Sequence, residues 1–152
     1  MFFLVSTIII LAIWLVFADK TRWRELLPVG FFAGFLGAMT DTIVCYYPLW
    51  DYHDPLLPTV ILHLGDDVGM YMVVTYLFIQ WLPKKRKLWN MLLYWFIWTG
   101  LAITIEWIHI STGHMHHHKW WSYGWSYGAD WILFYIFYKY HQIFKLEKLS
   151  RS

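Results

Sequence analysis

A single cysteine, Cys45, stands among the 152 residues. No intrachain disulfide can form, and cysteine usage says nothing of redox compartment. Charge is also scarce: Asp, Glu, Lys and Arg make up 14% of the chain, where a soluble domain carries about a quarter. The sequence has no phosphate-binding loop and no dinucleotide fingerprint. Ser6, Ser111, Ser122 and Ser126 lack a glycine elbow, and Cys45 has no histidine near it in sequence, so no nucleophile triad is visible. These absences disfavour a soluble nucleotide-dependent enzyme and a serine or cysteine hydrolase.

What is present is apolar and aromatic, 59% and 22% of the residues. Long apolar runs in a chain of this length indicate one polytopic membrane bundle over residues 1–152, with no room for a second domain. Five spans are expected: about Phe2 to Ala18, Leu27 to Tyr47, Pro58 to Leu82, Leu88 to Ile110, and Trp125 to Ile143. The first lacks a basic leader and a good cleavage site, and reads as a retained helix rather than a signal peptide. Pro28 suits the first turn of the second.

The loops alternate in charge. Lys20, Arg22 and Arg24, then Lys84 to Lys87, then Lys145, Lys148 and Arg151 share one side. The positive-inside rule makes that side cytoplasmic and puts the N-terminus outside and the C-terminus inside. Membrane-edge basic residues account for a pI of about 8.6 without nucleic acid as a partner. Trp50, Trp107, Trp120, Trp121 and Trp125 suit an outer aromatic belt, and Trp23, Trp81 and Trp89 an inner one. Trp121-Ser122-Tyr123-Gly124 repeats as Trp125-Ser126-Tyr127-Gly128, a local duplication in an interfacial loop.

Most of the acidic residues and histidines gather at the other side. Asp51, His53 and Asp54 lie in a loop, whereas Asp41, His63, Asp66, Asp67, Glu106, His109 and Asp130 lie inside or at the ends of spans. Ionisable groups there are costly and usually kept for function. On an α-helix, His63, Asp66 and Asp67 at i, i+3 and i+4 share one face, and Glu106 with His109 share another. Glu-x-x-His spacing also occurs in helical bundles that hold metal pairs. Gly30, Gly34 and Gly37 form a small-residue face in the second span that Asp41 continues, which turns Asp41 toward a neighbouring helix; Gly65 and Gly69 repeat the spacing in the third. At a rise of about 1.5 Å per residue, Asp66 and Asp67 lie roughly 12 Å inside the outer start of span three, and Glu106 roughly 6 Å inside the outer end of span four. Lys119 alone among the basic residues falls on this side, and no Lys or Arg inside the spans is available to neutralise the carboxylates, so the layer must hold protons, a metal ion or another cation.

Three mechanisms suit that layer. Asp41, Asp66, Asp67, Glu106, His63 and His109 can form a cation or proton site of a small transporter or channel. They can hold zinc, iron or copper for a metal-dependent enzyme acting on a lipid or another outer-leaflet substrate. Haem between His63 and His109 is disfavoured, since acidic neighbours suit a metal ion better than a porphyrin. The same groups can also bond to one another and only hold helices together, leaving an accessory subunit that docks a second copy or another membrane protein. His114, His116, His117 and His118 are secondary candidates for a metal. Asp130 reads equally as a helix cap, and His141 as a group snorkelling to the inner interface.

Tyr46-Tyr47-Pro48-Leu49-Trp50-Asp51, then Leu56-Leu57-Pro58, Glu106 late in a helix, and Gly113, His118 and Trp121 before a final Trp-Ser helix form an ordered pattern. It resembles a family of small, uncharacterised multipass membrane proteins of endospore-forming bacteria. The resemblance implies a bacterial cell-membrane location and a multi-span bundle, and supplies no activity. Glu106 is the site residue it carries over; His63, Asp66, Asp67 and His109 stand outside its motifs.

Overall fold

At the centre lies a nine-residue helix with almost no outward side. In the computed structural model, which describes residues 2–54, 58, 61–62 and 65–150 and only the backbone of Phe2, Asp66, Asp67 and Val68, Val73 and Thr75 to Ile79 are all buried. Four longer helices surround it, and the protein is mostly helical: α1 (Phe2–Phe17), α2 (Trp23–Tyr46), the central α3 (Met72–Gln80), α4 (Leu88–Ser111) and α5 (Tyr123–Ile143). Two stretches, Lys20–Tyr46 and Leu88–Ser111, are long and apolar enough to cross a membrane; α1 is apolar but shorter.

The helices alternate in direction, as their end contacts show. Phe3 at the start of α1 meets His109 near the end of α4, with ring centroids 5.2 Å apart. At the other end of α1, the Phe17 carbonyl accepts from Gln80 Nε2 at the end of α3. His141, near the end of α5, bonds Glu25, near the start of α2. The bundle therefore has a His-rich end and a basic end.

Several boundaries differ from those expected. α2 begins four residues before Leu27, directly after a 3-10 turn at Lys20–Arg22 capped by Asp19. Pro28 thus falls in the second turn, where it cannot donate to the Arg24 carbonyl. The third segment, α-helical at Ile61 and Leu62, is a π-helix over Gly65–Tyr71 before becoming α3. The i→i+5 bonds of a π-helix widen the turn, so the α-helical phase used above for Asp66 and Asp67 does not apply to them; His63 lies outside the described residues.

Packing explains the glycines. α2 buries a stripe running Leu26, Val29, Gly30, Ala33, Gly37, Asp41 and Val44, at spacings of three, four and one. A Cβ at Gly30 would meet Met72 Cγ at 3.0 Å and the Met72 carbonyl oxygen at 3.1 Å, so only glycine admits the start of α3 at that distance. Gly65 and Gly69 face Thr7 of α1. The core is aromatic: Phe78 of α3 meets Phe134 of α5 at 4.6 Å and Trp98 of α4 at 5.8 Å between ring centroids.

Polar bonds close the basic end. Glu25 is 1% exposed. Arg22 grips it with Nη2 on Oε1 at 2.6 Å and Nε on Oε2 at 2.9 Å. His141 Nε2 donates to Oε1 at 2.9 Å, and the Ser150 hydroxyl donates to Oε2. Ser150 belongs to a 3-10 turn, Leu146–Ser150, whose Leu146 enters the core. His141 is thus buried, and does not snorkel, because a carboxylate waits for it inside the bundle.

The two loops of the His-rich end pair as a short ribbon. β1 (Trp50–Tyr52) runs antiparallel to β2 (Met115–His117), with Trp50 opposite His117 and Asp51 opposite His116. The bonds His53 N–His114 O and His118 N–Leu49 O extend the pairing at each end.

Candidate functional site at the His-rich end

Glu106 sits in the penultimate turn of α4 and is contacted from two other elements. Its Oε1 accepts from His117 Nε2 of β2 at 2.5 Å and from the Ser126 hydroxyl of α5 at 2.8 Å. The Trp121 indole N–H donates to the Ser126 oxygen at 2.9 Å and holds that hydroxyl in place. The side chains of Glu106 and His117 are 13% and 15% exposed. Aromatic rings wall them: Tyr123 edges His117 at 5.1 Å, and Trp50 lies 5.1 Å from Trp121. Asp130 lies one turn below Ser126 on α5, within electrostatic reach of Glu106. It is the eighth residue of a helix that starts at Tyr123, so it does not cap that helix.

The ribbon brings His117 to Glu106. Register places His117 opposite Trp50, and alternation sends His116 and His118 to the other face. There, Asp51 Oδ1 lies 3.0 Å from His118 Nε2 and 3.8 Å from His116 Nδ1, all three groups being exposed. The histidine run thus divides between one side chain built into a site and two in a solvated cluster.

The other candidates have separate surroundings. His109 is buried, and its Nδ1 bonds the Ile105 carbonyl at 2.8 Å. Its ring faces Phe3, which also meets Tyr52 and His114. Glu106 and His109, three residues apart, therefore address different neighbours rather than one shared ion. His114 Nδ1 bonds the Thr112 hydroxyl at 3.0 Å. Asp41 is buried on the inward stripe of α2, and Asp54 is buried just after β1. The side chains of Asp66 and Asp67, like all of His63, lie outside what is described.

Among the described residues, no three His, Cys, Asp or Glu side chains are grouped to hold a metal ion. The Ser126 hydroxyl donates to the carboxylate and not to the imidazole, so the Ser-His-acid order of a nucleophile triad is not made. The arrangement is suited to holding a proton. A carboxylate and an imidazole share a short hydrogen bond inside an aromatic enclosure. Local spacing did not reveal Ser126 and Trp121 as members. Ser126 has one usable signal, the second Trp-Ser copy falling one helical turn before Asp130. No family model, curated protein or solved structure matches the chain.

Proposed function

We propose that the protein is a multipass bacterial membrane protein, with five segments embedded, its basic end cytoplasmic, and a proton- or cation-binding site in its outer half that serves transport. Support for the membrane part comes from the surface. Ile8, Val16, Phe31, Phe35, Phe96 and Ile132 are each more than half exposed on four helices, an apolar belt far larger than a soluble protein tolerates. Exposed Trp107, Trp120 and Trp125 border it at one end, and Trp23, Trp81 and Trp89 at the other. The resemblance to small multipass proteins points the same way.

The observation that carries the site is Glu106, held by His117 and Ser126, with Asp130 one turn deeper. An ionisable group inside a membrane bundle is costly and is usually kept for function. Asp41, His63, Asp66, Asp67 and His109 are proposed as further members of the same outer layer.

The test is proton movement in vesicles of phosphatidylethanolamine and phosphatidylglycerol with a pH-sensitive dye trapped inside. Flux in the wild type, lost in Glu106→Gln and reduced in Asp130→Asn, is the expected result. Wild-type flux in both variants would defeat the reading. Stoichiometric zinc, iron or copper in purified protein carrying His116→Ala and His118→Ala, lost with Glu106→Gln, would replace it with a metal-dependent membrane enzyme.

A further inference from the structure

One stripe of α5 joins the two ends of the molecule. Ser126, Asp130, Phe134, Phe137 and His141 follow at spacings of four, four, three and four, the repeat that keeps residues on one helix face. Ser126 bonds Glu106 at the His-rich end, and His141 bonds Glu25 at the basic end. About 22 Å separates the two positions along the helix. Phe134 and Phe137 fill the interval, packed with Phe78 and Trp98.

His141 is 1% exposed, and its Nδ1 is fully buried with no hydrogen-bond partner among the described residues. A buried ring nitrogen without a partner needs a reason. Nε2 donates to Glu25, so in the neutral ring Nδ1 carries the lone pair. Glu25 does not take the proton in its place, because Arg22 grips both its oxygens and Ser150 donates to one of them. The other charged groups acting on His141 are Arg86, before α4, and Glu147, in the turn after α5; they pair with each other at 3.5 Å.

We propose that His141 is a second proton-binding site, on the basic side of the aromatic block, accepting a proton at Nδ1 while Glu25 holds Nε2–H. Protonation gives an imidazolium facing the Glu25 carboxylate, whose bonds to Arg22 and Ser150 stay in place. The role in transport rests on the function proposed above; the protonation itself does not. Phe134 and Phe137 lie between the two sites on the same helix face.

Two measurements on the full chain test this. In detergent micelles, nitrogen-15 spectra of His141, assigned through Tyr140 and Gln142, should show a bare Nδ1 near pH 8 that gains a proton as the pH falls toward about 5. In vesicles, His141→Gln should lower proton flux about tenfold or more. A ring that keeps one protonation state across that window overturns the proposal, whatever the flux. Flux abolished by Glu106→Gln but untouched by His141→Gln overturns its role in transport and leaves the outer site standing. A titrating ring in a protein without wild-type flux upholds His141 as a proton site while defeating the transport reading.

Discussion

The Tyr94 hydroxyl donates to the Phe78 carbonyl oxygen at 2.6 Å, and the two rings stack with centroids 5.3 Å apart. This bond completes the end of α3. The last four carbonyls of a helix lack intrahelical partners. Here Leu77 O accepts from Trp81 N, Ile79 O from Leu82 N, Gln80 O from Arg22 Nη1, and Phe78 O from Tyr94. Tyr94→Phe keeps the ring and orphans that oxygen. It should destabilise the bundle by about 1–3 kcal/mol, read as a lower unfolding midpoint in micelles.

Gly30 gives a packing test with its own control. Gly30→Ala puts a methyl group 3.0 Å from Met72 Cγ and 3.1 Å from the Met72 carbonyl oxygen. Overpacking of this kind costs about 1–3 kcal/mol. Gly100→Ala meets nothing within 4 Å and should leave stability unchanged or slightly raised. Equal effects of the two substitutions would refute the close approach of α2 and α3.

Arg22→Ala removes both hydrogen bonds to Glu25. Losing one partner of a fully buried ion pair costs about 3–5 kcal/mol. Arg22 is 31% exposed, and His141 and Ser150 still bond the carboxylate, so a loss of roughly 2 kcal/mol is expected. Thermal unfolding of the two proteins in the same detergent measures it.

The exposed histidines should matter little. His116→Ala with His118→Ala removes the solvated partners of Asp51 and should change stability by about 0.5 kcal/mol or less. His117→Ala, which strips Glu106 of its 2.5 Å bond, should cost about 1–3 kcal/mol and also lower proton flux. An equal flux effect from the double variant would show that the site lies in the outer cluster instead.

The helices were legible in the sequence because most are apolar runs ended by charge or proline: Pro83 to Lys87 closes one run and opens the next. Asp41 was legible as an inward residue because Gly30 and Gly37 lie on the same stripe. The ribbon was not, since Trp50–Tyr52 and Met115–His117 are three residues each and carry no alternation long enough to read. The Glu106–Ser126 and Glu25–His141 bonds join residues 20 and 116 apart, distances at which helical spacing carries no information. His141 looked like an interfacial residue because position along the chain gives depth, whereas only a partner gives burial. The π-helical stretch of the third segment was hidden as well, because apolar periodicity assumes the α-helical turn.

The bond between Ser150 and Glu25 sets an order of events during biosynthesis. The two residues are 125 positions apart. At about 5–20 residues per second, the ribosome makes the hydroxyl about 6–25 seconds after the carboxylate. For the first 116 of those residues Glu25 has Arg22, three residues away, but neither His141 nor Ser150. The nascent chain therefore carries a half-satisfied carboxylate at its basic end, and the turn holding Leu146 covers it only after α5 has been synthesised.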